Sequence, residues 1–179
     1  MVIGTDELLK LVKKQKLVEN LSERELLNPE GAMFDLRIGE IYKLSGTGFL
    51  GIEERETPKE KLVAKYDPKK ISSFTFKPGD YFLMKTMESV NMPDYLVAFF
   101  RPRTTLFRSG LTMYTGTCAP GYSGELIFGI HNAGNCKVKI ELGSRVVNIS
   151  FFRVKGNVNL YRGQWAGGRV ATKTKEKQV

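Results

Sequence analysis

The chain has 179 residues, 41% hydrophobic and 26% charged, and its 28 Lys and Arg against 19 Asp and Glu leave a net charge of +9. That length suits one domain burying roughly two-thirds of its unfolded surface, and the positive balance favours anionic partners. Two cysteines outside any CxxC pair and a single histidine exclude structural zinc and leave no metal-ligating set. No apolar run approaches the ~20 residues of a membrane span, Asp6 and Glu7 do not open a signal peptide, and a reducing cytoplasm is expected.

In chain order, Thr5 reads as an N-cap ahead of Asp6 and Glu7, followed by Leu8, Leu9, Leu11 and Val12 and closed by lysines. Those features predict one short amphipathic helix with charges matched to its dipole. Ser22 to Leu27 predicts a second helical turn that Asn28-Pro29-Glu30-Gly31 ends. From Met33 the texture changes to short runs cut by Gly and Pro, and strands are predicted at 34–38, 40–44, 71–76, 81–86, 95–101, 111–115, 125–131, 136–142 and 145–154. Residues 46–70 are polar and charged, and read as a long loop or flap carrying Arg55. Lys77-Pro78-Gly79-Asp80 and Leu142-Gly143-Ser144 are tight turns between antiparallel strands. An all-β barrel or sandwich follows, since βα alternation is absent. The organisation read here is a helical segment at 1–30, a β-barrel at 31–160, and a Gly-rich arm with a basic tail at 161–179.

Arg101-Pro-Arg-Thr-Thr-Leu-Phe-Arg-Ser-Gly-Leu111 places three guanidiniums and three hydroxyls in nine residues. Planar guanidinium forks match phosphate oxygens, so this turn is a candidate site for a phosphorylated small molecule. Lysine clusters at 13–16, 69–70 and 173–177 lack interleaved aromatics and read as solvated faces; a nucleic-acid groove is not expected. Phe99, Phe100, Phe128, Phe151 and Phe152 are expected in the core, and Cys118 and Cys136 as buried thiols.

Five motifs in order, Gly31-Ala-Met-Phe-Asp-Leu-Arg-Ile-Gly39, Pro102 to Gly110, Pro120-Gly-Tyr-Ser-Gly124 with Asn132, Leu142-Gly-Ser-Arg-Val146 and Tyr161-Arg-Gly-Gln164, resemble the dUTPase and dCTP deaminase superfamily. The preceding helix resembles the deaminase and archaeal dUTPase branch. The resemblance implies a distorted β-barrel of the β-clip, dUTPase-like kind, and a homotrimer with sites between subunits. It also implies a deoxypyrimidine triphosphate substrate with Mg2+ held through the nucleotide phosphates. It places Arg103, Thr104, Thr105, Arg108, Gln164 and Arg169 at the phosphates, although the family usually has serine at the two threonines. Tyr122 would pack under the deoxyribose, with Tyr161 and Trp165 beside sugar and base, and residues 165–169 would form a closing arm.

Two departures bear on chemistry. The family's deaminating glutamate falls at Gly129, and the aspartate that activates water in dUTPases falls at Ala119. Glu125 and His131 are the substitute candidates, two strand steps before Gly129 and one after it. The reading is dUTP diphosphatase-type hydrolysis to dUMP and pyrophosphate, favoured by Pro102-Arg103-Thr104. The alternatives are dCTP deamination, and a catalytically silent nucleotide-binding regulator.

Overall fold

Alternating burial along much of the chain makes strands, most of which close into one strongly curled sheet, the others forming two small sheets of two and three strands. The computed structural model describes residues 1–178. In chain order the elements are α1 (Thr5–Gln15), β1 (Val18–Glu19), α2 (Glu23–Leu27), β2 (Phe34–Ser45), β3 (Phe49–Leu50), β4 (Glu54–Glu56), β5 (Lys59–Lys65), β6 (Ser73–Phe76) and β7 (Tyr81–Asn91). There follow β8 (Leu96–Pro102), α3 (Thr104–Arg108), β9 (Leu111–Tyr114), β10 (Thr117–Cys118), β11 (Ser123–Asn132), β12 (Val138–Glu141), β13 (Arg145–Arg153) and β14 (Glu176–Lys177).

A nine-stranded antiparallel sheet runs β10-β8-β13-β2-β7-β11-β9, with β1 added to β7 and β5 to β2. This is the expected all-β, distorted-barrel architecture. Strand β7 shows why it forms: Phe82, Met84, Thr86, Glu88 and Val90 are buried while the residues between them are half-exposed. The inner faces bury Phe34, Leu36, Ile41, Phe76, Leu96, Ile130, Ile149 and Phe151, at roughly 1.5–3 kcal/mol per large apolar side chain. Helix α1 covers one end through Leu8, which is fully buried. Its N-cap is Gly4, not Thr5, with no side-chain cap bond; Thr5 is already helical.

The segment expected as a loop at 46–70 contains three strands, of which β5 pairs with β2 from Ser45↔Lys59 to Glu40↔Lys65. Most of β5 is exposed on both faces, so it carries no apolar alternation. Backbone pairing and charge hold it instead. Glu40 receives Lys65 Nζ at 2.8 Å and Lys85 Nζ at 2.9 Å and the Tyr42 hydroxyl, tying β5, β2 and β7 together. Two other expectations are corrected: of the phenylalanines expected in the core, Phe99 is 46% exposed and Phe152, edge-on to it, is only half-buried, and of the two thiols Cys136 is exposed while Cys118 is buried. Phe99, Phe152 and Cys136 lie on outward-facing or turn positions that hydrophobicity alone does not reveal. Among the described residues no helix is long and apolar enough to cross a membrane.

Burial alone would push the Glu40 carboxyl up, but hydrogen bonds from Lys65, Tyr42 and Lys85 hold it down to about 2, from an ordinary 4.5. Its contribution to stability is therefore complete above pH 4.5 and lost as pH falls from there toward 2. Glu40→Gln should flatten that part of the acid-unfolding curve while leaving its neutral-pH shape two-state, as followed by circular dichroism. An unchanged acid limb would remove Glu40 as a pH-dependent tie.

Candidate active site

The clearest concavity lies between the curled sheet and the C-terminal arm. It is a cavity of about 380 Å³ whose lining includes Phe100, Cys118, Tyr122, Leu126, Tyr161 and Trp165, with Thr57 and Arg169 at the arm side. The walls are apolar with few polar groups, as small-molecule sites are. Tyr122 and Tyr161 meet edge to face with ring centroids 5.2 Å apart. The Tyr122 hydroxyl donates to the Glu125 carbonyl at 2.6 Å and lies 3.3 Å from the Trp165 carbonyl. The Trp165 N–H donates to the Tyr161 hydroxyl at 3.1 Å. Burial pushes the Tyr122 phenol up to about 12 and the Cys118 thiol up to about 12, so both stay neutral at physiological pH.

Glycines bring the arm onto the sheet. A Cβ on Gly124, at φ +133°, would sit 2.6 Å from the Gly167 backbone, and the Gly167 N–H donates to the Ser123 carbonyl at 2.7 Å. A Cβ on Gly168 would lie 2.5 Å from Glu125 Oε2. The backbone-to-backbone approach at Gly124 needs glycine on the strand side. Thr57 and Thr172 then lock the arm to the sheet by reciprocal bonds, Thr57 N–H to Thr172 Oγ1 at 3.0 Å and Thr172 N–H to Thr57 Oγ1 at 2.9 Å.

The arginine turn is a separate feature. It is the single helical turn α3, anchored by buried Leu106, with Thr104, Thr105 and Arg108 exposed. Arg103 and Thr105 line both a 440 Å³ cleft beside Arg145 and a 340 Å³ cleft beside Asp35 and Asn148. Arg103 is engaged: its Nη1 lies 2.9 Å from Asp35 Oδ2, which Arg145 Nη1 also reaches at 3.0 Å. Asn148 donates to the other Asp35 oxygen, and Glu25 Oε2 accepts the Asp35 N–H at 3.0 Å. Asp35 thus fixes the base of the cradle, with both carboxylate oxygens engaged by side chains. Within one chain, then, Tyr122, Tyr161, Trp165 and Arg169 come together at the arm cavity, while Arg103, Thr104 and Thr105 line other clefts and Arg108 is exposed on the surface. Gln164 joins the first group by accepting a hydrogen bond from Arg55.

The two substitute acid–base candidates are far apart. Both project from the outer face of β11, but six residues of strand separate them by roughly 20 Å. Glu125 lies beside Tyr122 and beneath Gly168. His131 stands at the other end, its ring stacked on Tyr114 at 6.4 Å, with Nδ1 3.5 Å from the Tyr114 hydroxyl. Between them, the Gly129 position is filled by a neighbour: a Cβ there would meet the Tyr81 hydroxyl at 2.5 Å. Tyr81 faces His131 across the ladder, and burial raises its phenol pKa. Arg55, Thr57 and Tyr81 are the residues at or near this site that sequence reasoning did not assign; each reaches it only through pairing between distant strands.

The dCTP deaminase-like family model matches residues 2–154. A dCTP deaminase of Thermococcus kodakarensis is 31% identical over 168 residues, covering 93% of this chain and 96% of the relative. A Methanothermobacter thermautotrophicus protein named "Probable deoxyuridine 5'-triphosphate nucleotidohydrolase" is 30% identical over 133 residues, covering 74% and 83%. Among solved structures, a 2'-deoxycytidine 5'-triphosphate deaminase from Agrobacterium tumefaciens superposes with a TM-score of 0.65 at 16% identity. The match takes in 86% of this chain and about half, 48%, of that one, and speaks to the fold.

The filled space at Gly129 gives a double-mutant test. Gly129→Ala should destabilise the protein by ~1–3 kcal/mol through overpacking, and Tyr81→Phe in the same chain should recover much of that loss. Chemical denaturation of the two single variants and the double measures the coupling; additive effects would mean that Tyr81 does not occupy the Gly129 space.

Proposed function

The chain belongs to the dCTP deaminase-like family, and from that premise we propose that it hydrolyses dUTP to dUMP and pyrophosphate. The observation that carries the reading is the position of Glu125, whose backbone carbonyl accepts the Tyr122 hydroxyl and whose carboxylate lies against Gly168 of the arm. In this reading the nucleoside enters the apolar cavity against Tyr122, Tyr161 and Trp165. Glu125 takes a proton from a water molecule whose oxygen attacks the α-phosphorus, and the bond from that phosphorus to the bridging oxygen breaks to release pyrophosphate. The closed arm excludes bulk water and strengthens the charge interactions inside. His131, a full strand length away, takes no part.

No group of three or more His, Cys, Asp or Glu placed to hold a metal occurs among the described residues. This donor set fits Mg2+ carried on the triphosphate rather than caged by side chains. When bound it supplies charge neutralisation on the phosphate oxygens. Arg103, Thr104, Thr105 and Arg108 do not line the cavity of their own chain, which supports a homotrimer in which one subunit's cradle serves its neighbour's cavity. The same reading places the protein in the cytoplasm, in three segments at 1–30, 31–160 and 161–179.

Two other readings each have an observation behind them. Relatives named as dCTP deaminases favour deamination, against which stands the Tyr81 hydroxyl in the space of any side chain at Gly129. Ala119 and Gly129, lacking carboxylates where the resemblance implies them, favour a nucleotide binder without turnover.

Purified protein supplied with Mg2+ and dUTP or dCTP separates these outcomes by pyrophosphate and ammonia release. Pyrophosphate from dUTP is expected, with Glu125→Gln lowering kcat by about 100-fold or more at little change in dUTP affinity. Ammonia from dCTP would replace this reading with deamination. Tight binding of either nucleotide without product would make the protein a silent binder.

A further inference from the structure

The chain's last turn carries a carboxylate that the proposed reaction does not use. Strand β14 pairs with β4 so that Glu176 stands opposite Arg55. Arg169 Nη2 lies 2.8 Å from Glu176 Oε2, and Arg55 reaches Oε1 through Nε and Nη2, each at 3.4 Å. Both guanidiniums also lie over the Trp165 ring, 4.6 Å and 5.6 Å from its centroid, and the carboxamide oxygen of Gln164 accepts from Arg55. Two cations on one indole, bridged by a single acid, form a fork for an oxyanion that stacking holds in place independently of that acid.

We propose that Arg55 joins Gln164 and Arg169, which the family resemblance already sets at the phosphates, to make a seat for the terminal phosphate of a nucleoside triphosphate, and that the chain's own Glu176 carboxylate occupies the seat until nucleotide displaces it. The inference rests on the reading of the adjoining cavity as a triphosphate site. Three observations carry it. Trp165 and Arg169 line the cavity, so the seat adjoins it. Arg169 is the one guanidinium among the residues lining that cavity, and Arg55 stands directly beside it. The segment bearing Glu176 is a two-residue edge strand, held otherwise by the Lys175–Glu54 ion pair at 2.6 Å, Lys175 over the Phe49 ring, the Gln178 N–H on the Glu53 carbonyl at 2.7 Å and the Gln178 side-chain amide on the Gly51 carbonyl at 2.6 Å. A strand that short has little stability of its own. The carboxylate offers two oxygens to the forks; a phosphate offers three and more charge, so it competes for the same donors.

An internal competitor taxes ligand affinity by the fraction of time the seat is free. If Glu176 is seated about nine-tenths of the time, its removal tightens binding about tenfold. Trp165 is the only tryptophan of the chain and borders both the cavity and the seat, so tryptophan-selective fluorescence reports ligand arrival at either, and the choice of ligand tells them apart. Full-length wild type, Glu176→Gln, Glu176→Ala and Glu176→Gln with Arg55→Met are titrated with inorganic tripolyphosphate, dUTP and deoxyuridine.

The expected result is about tenfold tighter tripolyphosphate and dUTP binding in both Glu176 variants, unchanged deoxyuridine binding, and loss of the gain when Arg55 is also replaced. Unchanged or weaker tripolyphosphate binding in both Glu176 variants would overturn the proposal, as would an equal shift for deoxyuridine. Should dUTP bind no better than bare tripolyphosphate while the Glu176 effect persists, the seat stands and the nucleotide reading fails. Should dUTP bind well over tripolyphosphate and the Glu176 variants make no difference, the seat fails and the nucleotide reading stands.

Discussion

Strand β7 is the constraint on which the molecule depends, because it is paired along both edges and every element of the cavity is referred to it. One edge carries β11 from Ser123↔Asn91 to His131↔Tyr81; the other carries β2 and, further along, β1. The pairing is interrupted on both sides, and polar side chains fill the interruptions. The wholly buried Glu88 accepts the Arg37 N–H at 2.8 Å and Arg37 Nε at 2.6 Å where β2 departs. Opposite the irregularity in β11, the Thr86 hydroxyl accepts the Leu126 N–H at 3.0 Å and donates to the Glu88 carbonyl at 2.7 Å. Each such donor, left buried and unpaired, would cost ~1–3 kcal/mol. These plugs allow a sheet that must curl to stay in register, and register is what sets Glu125 beside the arm and Tyr81 against Gly129.

The site is assembled from parts that no single element contains. The floor of the cavity comes from β11 and the segment before it, one wall from β8 and β10, and the lid from the chain's end. The lid is attached at Gly124, Thr57 and Glu176, three contacts of different chemistry. The first is a steric fit, the second a neutral hydrogen-bonded pair, the third an ion cluster. Of the three, the ion cluster is the one held by charge, and so the one with which a polyanionic ligand would compete, while the other two contacts fix where the arm returns. The arginine turn, by contrast, is fixed by Asp35 and Glu25 and presents its hydroxyls outward, where a neighbouring subunit's ligand would meet them.

Much of the architecture was legible in the sequence because period-two burial and glycine turns carry it: β11 and β13 fall close to the expected ranges, while β2 joins the two runs expected at 34–38 and 40–44 and β7 continues past the expected 81–86 to Asn91. The hairpin region before β6 was not, since β5 is exposed on both faces and its order comes from pairing with β2. The family resemblance singled out Tyr122, Tyr161, Trp165 and Arg169, which the fold does bring together. Arg55 escaped because its acid partner lies 121 residues away in a two-residue strand that no local pattern announces. The occupant of the Gly129 space was hidden for a similar reason: Tyr81 reaches it from the neighbouring strand, and only the register says which side chain stands there. Sequence spacing could set Glu125 and His131 on one face, but not say that the arm covers the first and leaves the second.

The central claim is that a deoxypyrimidine triphosphate binds under the arm of this chain, between β11 and Trp165. Hydrogen–deuterium exchange with and without a non-hydrolysable dUTP analogue and Mg2+ tests it most directly. The account predicts slowed exchange concentrated in residues 117–127 and 161–172, with little change in α1 or β12. Protection confined to other segments, or none at saturating analogue, would contradict it.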